Sequence, residues 1–413
     1  MSEAVGDIVR AYNDGREPER LAMKLAAMRS NVFSFYRGTA HLFWRRVDEA
    51  RVSGKAPAAW CSNDLHLENF GTYVGDNGLV YFDVNDFDEG ALSPCDWEVL
   101  RLVTSILVAA PSMNIGKVDA KKLASAAAVA YRDELAAGKA RWIERATATG
   151  AIGALMGGLD KRDLSRQLDR RTVLKKGRRT LDLDTGKMLP IDKSERVDLE
   201  RFTSAFGKAT QRADFFHFVD AARRVAGTGS LGLSRYVLLV EGDGSPDGNV
   251  LLDLKIAVPS TAAPASKIIQ PKWSSEAERV VAVQRAGQAV APHYLDAVTF
   301  SGKPFVLKEL QPSADRLDLA RIAKDRERLI EVVQTMGRLA AWAQLRTSGR
   351  RGSATADDLI GYAEADITTS LLQTAQQMAV TTLDDYAAYS TDYDAHQATP
   401  ADRQKKPASD DGE

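Results

Sequence analysis

Over residues 1–60 the apolar positions recur at helical spacing. Leu21, Leu25 and Met28 form one stripe, Phe33, Tyr36, Leu42 and Phe43 a second, and Arg37-Gly38 breaks the pattern. Residues 61–90 change character and become rich in Asp, Asn and Gly. Within them 71–74 and 79–84 predict two short strands around the turn Gly75-Asp76-Asn77-Gly78. Ala-rich periodic stretches then predict helices over 95–149, interrupted at Pro111. The stretch 161–179 holds nine Lys and Arg and predicts a solvated basic helix or loop, with a phosphate-facing surface as the other reading. A helix through Phe202, Phe215 and Val219 leads to a second strand-rich region. That region opens with Gly227-Thr228-Gly229-Ser230-Leu231-Gly232, runs over 235–240 and, after a Gly/Asp/Pro turn at 242–248, over 250–258. A helix over 275–286, a strand over 304–310 and helices near 322–348 and 356–390 complete the pattern. The polar tail 399–413 lacks apolar periodicity and predicts disorder.

Composition narrows the classes. Of 413 residues, 44% are apolar and 27% charged, as in ordinary globular proteins. Lys+Arg is 55 against 56 Asp+Glu, which excludes a globally basic nucleic-acid binder. Cys61 and Cys95 are too few for a disulfide framework or a Cys-rich zinc site. His41, His217, His293 and His396 are too scattered for a metal set, and Trp60, Trp97 and Trp273 read as packing residues. No apolar run reaches the length of a membrane span, and the first residues lack the basic-then-apolar pattern of a signal peptide. The expectation is a cytoplasmic protein without membrane or nucleic-acid partners.

Two constellations carry chemistry. In Asn63-Asp64-Leu65-His66-Leu67-Glu68-Asn69, Asp64 and Asn69 have the spacing of a kinase catalytic loop, where the Asp accepts the attacking hydroxyl's proton and the Asn holds magnesium. In Asn85-Asp86-Phe87-Asp88-Glu89, Asp86 follows a short strand as the kinase metal-binding Asp does, with Asp88 as a further oxygen ligand. Phosphoryl transfer is mostly positioning and charge neutralisation, so it needs one carboxylate for the acceptor and hard oxygens for Mg²⁺. The other reading is that Asp and Asn here only make turns.

The second constellation is Gly227-x-Gly229-Ser230-x-Gly232 followed by Lys255 in Leu254-Lys255-Ile256. A strand follows these glycines, so a kinase-type phosphate loop with an inward lysine fits better than a dinucleotide fold. The other reading of Lys255 is an edge-strand lysine. Glu276 and Glu278 are the candidate helix partners of Lys255, without a choice between them, and Gln311-Pro312 would be the hinge beside an adenine. Arg37 is a candidate partner for an acidic loop residue or a ligand. The order is reversed relative to kinases, because the catalytic-type loop precedes the glycine loop. Moreover Leu339-Ala340-Ala341-Trp342-Ala343-Gln344 resembles the helix that normally enters a catalytic loop. A circular permutation reconciles these facts, since contacts rather than chain order define a core.

Jointly, Phe33-Ser34-Phe35-Tyr36-Arg37-Gly38, Asp64-x-His66-x-Glu68-Asn69-Phe70-Gly71, the 85–89 segment and the 227–232 loop resemble a bacterial family, the domain of unknown function 2252. The resemblance extends through Lys255, Arg279-Val280-Val281, Gln284-Arg285 and 307–311. The family in turn resembles protein kinases and aminoglycoside phosphotransferases. That likeness implies a carboxylate under the catalytic loop, which Asp96 would supply. Asn63 stands where the family usually has Gly, Ala282 where it tends to have an acidic residue, and Gln344 where His is frequent.

The expectation is an α+β, bilobal, kinase-like fold, circularly permuted. Residues 1–150 and 313–396 would form the helical lobe, 151–218 a basic insert with a connecting helix, 219–312 the β-rich nucleotide lobe, and 397–413 a disordered tail. The expected function is ATP- and Mg²⁺-dependent phosphoryl transfer to a hydroxyl of an unidentified small molecule or protein. Asp64 would be the base, Asn69, Asp86 and Asp88 the metal ligands, and Gly227, Gly229, Ser230, Gly232, Lys255 and Gln311 the nucleotide contacts. The alternatives are a non-catalytic nucleotide-binding module that regulates a partner, favoured by Asn63 and Ala282, and nucleotidyl transfer from the same site.

Overall fold

The computed structural model describes residues 3–50, 56–158, 168–311 and 316–397. The basic residues 161–167, Pro312 and the tail from 398 onward lie outside the described residues.

The chain opens with α1 (Val5–Tyr12), α2 (Pro18–Ser30), α3 (Val32–Gly38) and α4 (Ala40–Glu49). Glu17 accepts from the N–H groups of Glu19 and Arg20, and Asn31 from that of Ser34, so both caps interrupt the helical pattern in addition to Arg37-Gly38. Strand β1 (Ala58–Cys61) pairs antiparallel with β4 (Ala91–Pro94), and between them lies the hairpin of β2 (Phe70–Val74) and β3 (Val80–Val84). Helix α5 (Cys95–Ala109) ends in a tight turn around Pro111, and α6 (Lys117–Ala137) stops at left-handed Gly138. Helix was expected to continue toward 149, but residues 139–143 are not helical and the Ile143 carbonyl accepts from Phe82 N–H of β3. Helix α7 (Gly150–Gly157) follows.

The described part of the basic stretch is a hairpin, β5 (Thr172–Lys175) and β6 (Arg178–Leu181), turning at Lys176-Gly177 with positive φ at both. After β7 (Met188–Leu189), α8 (Lys193–Ala209) starts at a reciprocal Asp192–Glu195 cap. It ends before Phe215, and Val219 belongs to β8 (Phe218–Arg224) rather than to a helix. Then come β9 (Arg235–Val240), β10 (Val250–Ile256), α9 (Ala262–Ser266) and α10 (Glu276–Gly287). Strand β11 (Asp296–Phe300), unforeseen in the pattern, turns through Ser301-Gly302 into β12 (Lys303–Glu309). Helices α11 (Leu319–Ile322), α12 (Arg326–Thr347), α13 (Ala356–Glu364) and α14 (Thr368–Gln397) complete the chain.

The protein is thus mixed α+β. Its main sheet is six-stranded and antiparallel, in the order β11-β12-β10-β9-β8-β7. Strand alternation gives it two unlike faces. Tyr236, Leu238, Leu252, Leu254, Phe305 and Leu307 pack into an apolar cluster. The opposite face carries Arg235, Asp253, Lys255 and Lys308, with Lys255 across from Arg235 and Asp253 across from Lys308. The largest core gathers α5, α6, α12 and the β1–β4 region, and includes Trp44 stacked on Trp97 at 5.2 Å. Among the described residues no helix is long and apolar enough to cross a membrane.

Helices α6 and α12 approach closely at Gly337, where a Cβ would run into the carbonyl of Ala127. Gly337→Val should therefore lower stability in urea unfolding by about 1–3 kcal/mol through overpacking. Gly361→Ala, at a position open on α13, should be neutral or mildly stabilising.

Candidate active site

The charged face of the sheet is one wall of a cavity of about 220 Å³. Its polar groups are matched in place. Buried Asp253 accepts from Arg224 at 2.7 Å and from both Nε and Nη2 of Arg235 at 2.8 and 2.5 Å. Burial would push the Asp253 carboxyl up, but the two guanidiniums outweigh it and hold it far below the usual carboxylate range. Lys255 is 9% exposed and forms an ion pair with Asp88 from the turn after β3. Burial pulls the Lys255 ammonium down, yet Asp86 and Asp88 more than compensate and raise its pKa. For Asp86 the balance runs the other way: burial pushes the carboxyl up, and Lys255 with Lys308 brings it down to about 2.

The facing wall is the loop after β1. Asn63 has φ 58°, the left-handed region that Gly adopts most readily and Asn tolerates. Asn63 thus takes the backbone conformation that a Gly, expected here from the family resemblance, would also take. Its side chain also accepts from Ser93 Oγ at 2.8 Å, and its carbonyl accepts from Trp44 Nε1 at 3.0 Å. Asp64 follows. Its Oδ1 accepts from Arg101 Nε at 2.8 Å and Nη2 at 2.6 Å. Burial pushes the Asp64 carboxyl up, Arg101 pulls it down and Asp86 pushes it up again, leaving it at about 7. Asn69 Nδ2 donates to the Asp64 carbonyl at 2.6 Å, so its Oδ1 is the atom available to a ligand.

The glycine segment folds as a tight turn at Thr228–Ser230, with Gly227 at φ 75° and Gly232 at φ 86°. Arg16, in the connection between α1 and α2, and Lys24 of α2 pin it. Arg16 Nη1 donates to the carbonyls of Gly229 at 2.8 Å and Leu231 at 2.9 Å, and Lys24 Nζ donates to Gly229 at 3.0 Å.

Asp64, Asn69, Asp86, Asp88, Lys255 and Gln311 all line this one cavity. So do Gly227, Gly229 and Ser230. Gly232 does not line it; the backbone turns there against Arg16, whose Cβ would lie 2.8 Å from an added Cβ. Gln311 Nε2 reaches Asn85 Oδ1 only at 3.5 Å.

Three assignments change. Neither Glu276 nor Glu278 reaches Lys255, because Glu276 pairs with Arg279 at 2.6 Å and Glu278 accepts from Ser274. Ala282 lies two residues from both Val280 and Gln284, the α10 positions that line the cavity, and two helical residues point about 200° apart. The missing acidic side chain at 282 therefore does not deprive Lys255 of a partner, which Asp88 supplies. Asp96 accepts from Tyr362 at 2.9 Å, and the carboxylate under the loop is Glu98, whose Oε1 accepts from Ser62 N–H at 2.8 Å.

Arg101, Glu98, Asp253 and Lys308 were not foreseen. Two of them left a trace: Arg101 is a lone charge in the apolar run Val99 to Val103, and Asp253 alternates with Lys255 within a leucine-rich strand. The partners of each lay far off in the chain, so the trace had no reading.

These features define an α+β protein with a deep cleft in which a lysine, two aspartates and a buried Arg–Asp pair converge. The chain belongs to the family described as Uncharacterized protein conserved in bacteria (DUF2252), whose profile matches residues 16–392. No curated protein and no solved structure matches it.

Arg101 is fully buried, lies over the rings of Tyr36 and Phe43 at 4.3 and 4.9 Å, and has Nη1 without a hydrogen-bond partner among the described residues. Arg101→Met should destabilise the fold by about 3 kcal/mol and move the Asp64 carboxyl further up. Adding Asp64→Asn should recover part of that loss, as a double-mutant cycle in urea checks.

Proposed function

We propose that this protein is an ATP- and Mg²⁺-dependent phosphotransferase with a bilobal, circularly permuted kinase-like fold. One observation carries the reading: Asp64 and Asp86 share a cavity with Lys255, a residue far from both in the chain. The permutation has its own support. The end of α12 lies against β1, the strand that leads into the catalytic-type loop, with Gln344 Nε2 donating to Cys61 Sγ at 3.4 Å, and just beyond the helix the Arg350 carbonyl accepts from Trp60 Nε1 at 2.9 Å. A helix that ordinarily runs into such a loop thus ends beside it, although the chain there is cut and rejoined elsewhere.

In this reading Lys255, with Lys308 beside it, holds the nucleotide's phosphates, and the 227–232 turn covers them. Among the described residues no group of three or more His, Cys, Asp or Glu is arranged to hold a metal ion. Magnesium needs fewer protein ligands, because it retains waters and takes phosphate oxygens. Asn69 Oδ1 and the Asp86 carboxylate are oxygen donors of the required hardness, so the residues fit Mg²⁺. Bound there, the ion would neutralise charge on the phosphates.

Asp64 accepts the acceptor hydroxyl's proton as that oxygen forms its bond to the γ-phosphorus. The bond from phosphorus to the β–γ bridging oxygen breaks, and ADP leaves with that electron pair. Arg101 holds one oxygen of Asp64 in place, because its Nε and Nη2 both donate to Oδ1. Asp88 balances Lys255 until phosphate takes its place, after which it is free to join Asp86 as an oxygen ligand.

Mg-ATP should raise the melting temperature of the parent, and ADP should form when the acceptor is supplied. Asp64→Asn should abolish turnover, by about 10²-fold or more, with the Mg-ATP shift retained, whereas Lys255→Met should diminish that shift. A Mg-ATP shift without ADP formation for any hydroxyl acceptor would assign the non-catalytic module instead, and no shift would defeat both readings. Because a base must be deprotonated and Asp64 sits at about 7, kcat should fall as pH is lowered through about 7. The Mg-ATP shift should not follow that profile.

A further inference from the structure

Charges around the cavity are unequally matched. On the sheet wall, Arg224 and Arg235 share Asp253, and Lys255 holds Asp88. On the helical wall, Arg37 meets Glu68 as an ion pair at 2.7 Å, yet its Nε is buried without a hydrogen-bond partner among the described residues. Arg316, exposed to solvent, lines the same cavity from the segment after β12 and makes no ion pair among the described residues. Partial desolvation is the first influence on Arg316 and lowers its pKa; Arg37 then repels it, Glu68 and Asp86 attract it, and Arg235 repels it again. Glu68, which pairs with Arg37 and attracts Arg316, is 37% exposed on its side chain and leaves Arg37 Nε without a hydrogen-bond partner among the described residues.

The pair lies on the Asp64 side of the cavity. His66, two residues along the same loop, is kept neutral by burial and then by the nearby charges of Arg37, Arg101 and Arg316. Arg101 is the residue bonded to Asp64 at 2.6 Å. Two guanidinium forks directed into one pocket suit a planar or tetrahedral oxyanion, which each can hold through paired N–H bonds. The nucleotide's phosphates have their own cations at Lys255 and Lys308. We infer that Arg37 and Arg316, beside His66, form a second anion subsite, which takes the carboxylate or phosphate group of the acceptor while the acceptor's hydroxyl meets Asp64. The word acceptor rests on the phosphotransferase reading; the anion subsite itself does not. Glu68 then acts as an internal competitor, occupying Arg37 when the subsite is empty.

The test titrates inorganic phosphate and, separately, acetate into the full chain at constant ionic strength, with and without saturating Mg²⁺ and a non-hydrolysable ATP analogue. Binding is followed by calorimetry and melting temperature. Phosphate or acetate should bind in both conditions, and the stronger of the two identifies the acceptor's anionic group. Arg316→Gln should weaken that binding roughly tenfold, and Arg37→Gln/Arg316→Gln further, with the nucleotide response unchanged. Glu68→Gln should tighten it, a gain that damage to the fold would not produce. The subsite is overturned if neither anion binds, if the nucleotide analogue displaces the anion, or if binding is unaltered in Arg316→Gln and Glu68→Gln. Failure of the phosphotransferase reading registers separately, as a missing nucleotide response in the parent.

Discussion

Arg235, Asp253, Lys255 and Lys308 crowd one face of the central sheet below the protein surface, and none of them can be buried there alone. An unpaired charge taken out of water costs several kcal/mol, so each needs an opposite charge within a few ångströms. The sheet supplies one such partner itself, Asp253, which Arg224 and Arg235 share. The remaining positive charge draws in the turn after β3, which brings Asp86 and Asp88. That attraction decides where the β1–β4 region sits against the sheet, and so where the cleft opens. A second tie runs beside it: Glu89 accepts from Thr261 Oγ1 at 2.9 Å, joining the same turn to the chain after β10.

The facing loop solves a similar problem with other means. Asp64 is held by Arg101, which is itself caged by aromatic rings, and Glu98 one turn earlier on α5 holds the backbone that leads to it. Helix α5 thus presents two charged side chains at successive turns to one short loop. Asn63 completes the arrangement, because its left-handed backbone turns the chain sharply between β1 and Asp64. A carboxylate fixed by Arg101 and facing a charge-balanced lysine is an arrangement of charges held in place before any ligand arrives.

Much of this was legible in the chain. The strands flanking Gly75–Gly78 announced a hairpin, and β2 and β3 form it. The glycine run, Lys255, Asp64, Asn69, Asp86 and Asp88 were each visible as residue types at telling intervals, and all but Gly232 line the cavity. The misreadings share one cause. Apolar periodicity carried the helix past Ala209 because Phe215 and Val219 kept the spacing, although both answer to neighbours in space: Phe215 to Tyr294 and Val219 to the apolar cluster around Leu181, Leu239 and Leu251. The expected partner of Lys255 was sought on the next helix, because proximity along the chain is the only proximity a sequence displays.

The sequence by itself determined what is local: helix caps at Glu17, Asn31 and Asp192, turn residues of positive φ, the alternation that gives β10 a charged and an apolar face, and the inventory of groups able to do chemistry. Such features depend on a few neighbouring residues and on backbone sterics, so they can be read in order along the chain. Tertiary structure alone decided the pairings: Asp88 rather than a glutamate for Lys255, Glu98 rather than Asp96 beneath the loop, Arg101 for Asp64, and Arg16 and Lys24 over the glycine turn. Those choices follow from distance and desolvation in three dimensions, where a charge takes whichever opposite group or carbonyl the packing brings within reach.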